Sequence, residues 1–141
     1  MEQSEFKKEL RVSLKPTKIK HFSYGSKLGN KLLTRLRVGR SFLNSHGYAI
    51  GKTPSPECSC HARQETTRHY LLQCFLYTVE RQNLVDRLSH YVPNFKQLPL
   101  YKQEHILLFG KPGKEEDVKY INISITKLVQ DYILQTKRFK L

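Results

Sequence analysis

Acidic residues are scarce in this chain, and they are scarcest in its first half. Lys and Arg number 25 against 12 Asp and Glu, a formal net charge of +13, and no acid lies between Glu9 and Glu57. Only three aspartates occur, Asp86, Asp117 and Asp131, none beside another. A polymerase or nuclease holds two metal ions between paired carboxylates. We therefore expect no catalytic centre of that kind, and capping or solvated helix faces account for the three aspartates. Long apolar runs are also missing. The first 20 residues carry Lys7, Lys8, Arg11, Lys15, Lys18 and Lys20 where a signal peptide would have its apolar core. The expectation is a chain with no membrane partner, in the nucleus or cytoplasm. There are just three cysteines. They cannot all pair, and in a reducing compartment they favour a metal over a disulfide framework. The Asn122-Ile123-Ser124 sequon would then be idle. No internal repeat is found.

What is present is positive charge and helical periodicity. With 141 residues, 38% of them hydrophobic, the chain suits one domain with a modest core. The excess of base favours a polyanion, RNA or DNA. The acid-free segment supplies the candidate nucleic-acid contacts Lys15, Lys18, Lys20, Lys27, Lys31, Arg35, Arg37 and Arg40. Arg35, Arg37 and Arg40 interleave with Leu33, Leu36 and Val38, so one face can be buried while arginines meet phosphates. Phe22 and Tyr24, beside Lys20, His21 and Lys27, are candidates for stacking on unpaired bases or for core packing. Residues 1–27, with Pro16 and Gly25, read as a basic arm or lead-in, and 28–141 as a single helical domain.

The spacing of Leu32, Leu33, Leu36, Phe42 and Leu43 predicts a helix capped by Asn30 and stopped by Gly47. Gly51, Pro54 and Pro56 mark a loop, after which helix resumes at Thr66 or Thr67. An apolar face of Leu71, Leu72, Phe75, Leu76, Val79, Leu84, Val85 and Leu88 carries it, with room for an interruption, to about Ser89. A third helix is expected over 98–109, with Pro99 in its first turn and Gly110 past its end. The last begins at Glu115, Glu116 and Asp117 and ends near Lys137 and Arg138, charges that suit the helix dipole. The fold class is mostly α.

Cys58, Cys60, His69 and Cys74 form a Cys/Cys/His/Cys array that uses every cysteine. Thiolates and an imidazole suit tetrahedral zinc, and four protein ligands would close the site to a catalytic water. The spacing imposes a condition. Residues five apart on a regular α-helix are separated by about 140°, so His69 and Cys74 cannot share its face. One must lie at a helix end, or the helix must bend or bulge between them. His61 adjoins Cys60 and His46 lies far upstream, so His69 is the preferred imidazole. One packed cysteine, two surface thiols and a solvated histidine would be the alternative.

Leu33-Thr34-Arg35-Leu36-Arg37-Val38-Gly39, Leu43-Asn44, Pro56-Glu57-Cys58-Ser59-Cys60, Glu65-Thr66, His69-Tyr70, Cys74 and Arg81 occur in register, followed by Ile106-Leu107-Leu108-Phe109-Gly110 and Arg138-Phe139. Over residues 24–140 this resembles the carboxy-terminal region of non-LTR retrotransposon reverse transcriptases. The resemblance implies a zinc-binding module downstream of a polymerase, holding template RNA or target DNA, with Cys58, Cys60, His69 and Cys74 as ligands and the polymerase portion as a partner. Members often place proline after the last ligand cysteine. Here Phe75 follows, which leaves the bend without a cause.

Other readings are weaker. Gly110-Lys111-Pro112-Gly113-Lys114 lacks the spacing of a phosphate loop and reads as a turn. No thioredoxin-like alternation of strand and helix surrounds Cys58 and Cys60. The serious rival is a structural or protein-interaction zinc module without direct nucleic-acid binding.

Overall fold

The computed structural model describes residues 25–139. Lys15, Lys18, Lys20, Phe22 and Tyr24 lie outside them. The described chain is mostly helical. Helix α1 spans Lys27–Val38, α2 Asn44–Ala49, α3 Thr78–Leu88, α4 Leu100–Phe109 and α5 Glu115–Thr136. Among the described residues the only strand-like pairing is an isolated bridge between Glu57 and Gln64. No described helix is long and apolar enough to cross a membrane.

Helix α5 is the axis of the domain, packed against α1, α3 and α4. Its three acids lie in the first turn, and Ile125, Val129, Tyr132 and Ile133 are buried. Leu32, Leu33 and Leu36 of α1, Leu84 and Leu88 of α3, and Ile106, Leu107 and Leu108 of α4 close around that stripe. Tyr70 fills the space between core and Cys/His loop. Its ring meets Tyr77, Tyr132 and Phe139 edge-on, its hydroxyl is 2.7 Å from Thr136 Oγ1, and its carbonyl accepts from the Tyr132 hydroxyl at 2.6 Å.

Several helix ends differ from expectation. Ser26, not Asn30, caps α1, its Oγ accepting the Gly29 N–H at 2.9 Å. The lead-in boundary therefore moves back, since Lys27 already belongs to α1. Gly39, at φ 74°, ends α1 by returning its N–H to the Arg35 and Leu36 carbonyls. Gly47 is instead buried inside α2, where a Cβ would meet Thr53 at 2.9 Å. Phe42 leaves the expected apolar face. It is 47% exposed at φ 67°, a conformation that costs a bulky residue about 1–3 kcal/mol. Buried Ser41 and Leu43 on either side, with the Phe42 N–H bonded to His46 Nδ1 at 3.1 Å, hold it there. Pro99 sits at the cap of α4 rather than in its first turn.

The expected face from Leu71 to Leu88 is broken at Cys74, where the backbone is extended. A single 3₁₀ turn, Phe75–Tyr77, leads into α3. The break shifts the helical phase, so Phe75, Leu76 and Val79 face solvent instead of the core. The 110–114 segment is a turn, as expected, braced from α5. Asn122 Oδ1 accepts the Lys111 N–H at 2.7 Å and Nδ2 donates to its carbonyl at 3.2 Å. The asparagine of the sequon is buried in that role.

Burial pushes the hydroxyls of Tyr70 and Tyr132 well above their ordinary value and raises Tyr77 to about 12. In the unfolded chain tyrosines ionise near pH ~10. Above that pH the unfolded state has fewer bound protons than the folded one, so stability falls as pH rises. The urea midpoint should therefore drop above pH ~10, and drop less steeply in Tyr70→Phe.

Candidate metal centre

Two short segments bring the four predicted ligands together. The first is a tight turn between the bridged residues Glu57 and Gln64. Cys58 N–H donates to the Arg63 carbonyl at 2.8 Å, and His61 N–H to the Cys58 carbonyl at 2.9 Å. His61 takes φ 63°, which lets the chain reverse. Ala62 N–H then points at Cys60 Sγ, 3.4 Å away. A backbone donor aimed at a sulfur is the local feature that a Cys-x-Cys spacing permits here, with one residue fewer between the cysteines than usual.

The second segment answers the spacing condition. Thr66 Oγ1 accepts the His69 N–H at 3.1 Å, and His69–Gln73 is a π-helical turn. The Cys74 N–H donates to the His69 carbonyl at 2.8 Å, a bond across five residues. Such a widened turn carries both side chains to one side. Its cause is not a proline. Arg81, from α3, donates Nε–H to the Leu71 carbonyl at 3.1 Å and Nη2–H to the Cys74 carbonyl at 2.6 Å. The Leu71 carbonyl loses its helical donor at the interruption, the Cys74 carbonyl also accepts the Tyr77 N–H at 3.3 Å, and a guanidinium serves both carbonyls at once.

The result is a compact, buried tetrad. Cys58, Cys60, His69 and Cys74 each offer a donor atom, all within 4.8 Å of one another, and they could hold a metal ion. Cys58 Sγ and Cys74 Sγ are 3.7 Å apart, and Cys60 Sγ is 3.3 Å from His69 Nε2. His69 Nδ1 is buried with no hydrogen-bond partner among the described residues, so the ring's polar contact is on the sulfur side. The two alternative imidazoles are elsewhere. His61 is exposed beside Glu57, with 3.5 Å between Nδ1 and Oε1, and His46 is tied to Phe42.

Electrostatics fit a cation. Burial pushes the Cys58 thiol up to about 12 and moves Cys74 in the same direction. Cys60 goes the other way because the Ala62 N–H favours its thiolate. Burial first, and then Arg63, lowers the His69 pKa, keeping the imidazole neutral and its lone pair free. Three thiolates in one enclosure are unfavourable without a compensating charge. A metal cation bound among them would supply it.

Glu65 and Arg138 complete the centre; the sequence reading gave Glu65 no role and Arg138 only that of a charge at the end of the last helix. The Glu65 carboxylate is 1% exposed and lies 4.0 Å from Cys58 Sγ. Arg138 grips it with two bonds, Nη2 to Oε1 at 2.6 Å and Nε to Oε2 at 2.8 Å. The Asn44 N–H adds a third at 2.7 Å. Asn44 in turn donates Nδ2–H to the Glu57 carbonyl at 2.7 Å and accepts from Arg138 Nη2 at 3.2 Å. One buried carboxylate thereby joins α2, the Cys/His turn and the chain after α5. The available signal was its place, the one acid between Cys60 and His69.

The expected basic surface divides. Lys27, Lys31 and Arg35 recur every fourth residue on α1 and share one side of it. Lys27, Lys31 and Arg40 are exposed, and Arg35 is half-buried with its guanidinium 5.8 Å over the Phe42 ring. Arg37 does not join them. It is 2% exposed, its Nε–H donates to the Leu108 carbonyl, and burial lowers its pKa to about 9. Its position places it on the core side of α1, so it acts as a tie to α4 and not as a phosphate contact.

Removing Arg138 leaves a buried carboxylate without its counter-charge. Arg138→Ala should lower the unfolding free energy by about 3 kcal/mol, read by urea denaturation, with a matched loss at Asn44→Ala near ~1 kcal/mol. Cobalt(II) loaded into the protein should show thiolate charge-transfer bands and tetrahedral d–d bands. Both sets should change in His69→Ala and stay as they are in His61→Ala.

Family models, curated proteins and solved structures were all compared with this chain, and none matches it.

Proposed function

We propose that this chain is a zinc-stabilised accessory domain that binds nucleic acid, RNA or DNA, and carries no catalytic centre of its own. The observation that carries the reading is a buried Cys₃His tetrad in one domain with a helix that carries Lys27, Lys31 and Arg35 along one side. Tetrahedral zinc, at about 2.3 Å from sulfur and about 2.0–2.1 Å from nitrogen, sets sulfurs about 3.8 Å apart and sulfur and nitrogen about 3.5 Å apart. The tetrad's 3.7 Å and 3.3 Å edges are close to both. Soft thiolates with one imidazole select zinc over hard cations. Four protein ligands leave no position for an activated water, so the ion is structural.

The basic helix supports the second half of the proposal. Lys27, Lys31 and Arg35 are like charges four residues apart, each pair costing a helix about 0.2–0.5 kcal/mol. Lys27 also sits in the first turn, where no acid balances the positive end of the dipole. A phosphate backbone would offset both costs. The resemblance to the carboxy-terminal region of non-LTR reverse transcriptases accords with this reading, with template RNA or target DNA as ligand and the polymerase portion as neighbour. The nucleus or cytoplasm is the setting in which its thiols stay reduced.

The test joins metal to binding. Elemental analysis should find one zinc per chain, and a chelator should lower the melting temperature and loosen the middle of the domain. Labelled single-stranded RNA and duplex DNA should bind at low salt and lose affinity steeply as salt rises. Cys74→Ser should weaken that binding. Zinc with no binding to either probe at low salt would instead favour a protein-interaction module.

A further inference from the structure

We infer that Phe42 is a stacking platform for an unpaired base of single-stranded nucleic acid, with Arg35 and Arg40 taking the phosphates beside it. The inference rests on the nucleic-acid reading above and narrows its ligand to strands with open bases. The ring stands out from the surface at 47% exposure, although both chain neighbours are buried. Its backbone is in the left-handed region, at φ 67°, which turns the side chain away from the core that Leu43 enters. The Phe42 N–H is fastened to His46 Nδ1, and the His46 ring is 5.1 Å from the Phe42 ring. The position is thus held by contacts on its backbone and on its ring, while the ring keeps a large apolar surface in water.

Charge complementarity names the occupant. The Arg35 guanidinium lies 5.8 Å from the ring centroid, Arg40 is exposed two residues before it, and the segment between Glu9 and Glu57 has no acid to repel a phosphate. An aromatic face flanked by arginine is how base and backbone are bound together without sequence readout. A duplex buries the faces of its bases against one another, so only an unpaired base can lie on the ring. Another exposed apolar group, Phe75, Leu76 and Val79, has no such flank. Glu80 follows it, and Arg81 is turned inward onto backbone carbonyls. RNA and DNA share the chemistry of a base and a phosphodiester, so the sugar is left to the experiment.

The chain contains no tryptophan. Full-length, zinc-loaded Phe42→Trp therefore carries a single reporter, titrated with oligouridylate, oligothymidylate and a short DNA duplex. Quenching by either single strand and not by duplex is the expected result, and the stronger quencher identifies the sugar. Phe42→Leu should bind both single strands about 10-fold more weakly, with the salt slope and duplex affinity unchanged. Phe42→Gly removes the ring while accepting the same φ, so an equal loss there with an intact helical spectrum is not a folding defect. If the native chain binds single strands, Phe42→Leu binds them equally well and the tryptophan emission does not move, the platform is overturned while nucleic-acid binding stands. If the native chain binds none of the three probes at low salt, both readings fail.

Discussion

The hydrogen bond from the Cys74 N–H to the His69 carbonyl reaches across five residues, and the Cys/His tetrad comes together because of it. A regular helix would bond four residues back and point the two side chains to different sides. The wider turn aligns them, but the extended backbone at Cys74 takes the helical donor away from the Leu71 carbonyl. Arg81 supplies a donor there from the following helix and adds a second bond to the Cys74 carbonyl. A guanidinium thus does here what a proline would do by steric exclusion. It stabilises the interruption instead of forbidding the continuation, and it couples the ligand turn to α3.

Glu65 performs the same service at a larger scale. Its carboxylate is buried next to a sulfur, where an isolated negative charge would be costly, and it is tolerated because Arg138 and the Asn44 N–H satisfy it. The tetrad is therefore embedded in the domain. Tyr70, adjacent to His69, extends the embedding to the core through Thr136 and Tyr132. Hydrophobic packing places α1, α3 and α4 around α5, while polar bonds of long sequence separation orient the two ligand segments.

Much of this was legible in the residues. The long α5 showed itself by period and flanking charges, α4 by Pro99 and Gly110, and the four ligands by their types and the need for a bulge between two of them. What escaped were effects of context. Asn30 and Gly47 look like a cap and a stop, yet Ser26 and Gly39 take those roles because the chain turns sooner to bury Leu43. Arg37 counts as surface charge in any tally, but its place four residues after Leu33 puts it on the inward side of α1. Phe75, Leu76 and Val79 continue an apolar pattern on paper, and the break at Cys74 puts them out of phase with it. The polar ties of Glu65, Arg81 and Arg138 were not legible, since their partners lie far off in the chain, Arg138 being 94 residues from Asn44 and 73 from Glu65.

That separation has a consequence for how the protein is made. A ribosome adds about 5–20 residues per second, so the Cys/His turn and its buried carboxylate emerge roughly 4–15 s before the arginine that neutralises the carboxylate. Throughout that interval the nascent turn has its thiols but not its counter-charge. A metal ion captured then would hold open the socket into which Arg138 later closes, making the final residues of α5 and those just after it a latch on an already loaded site.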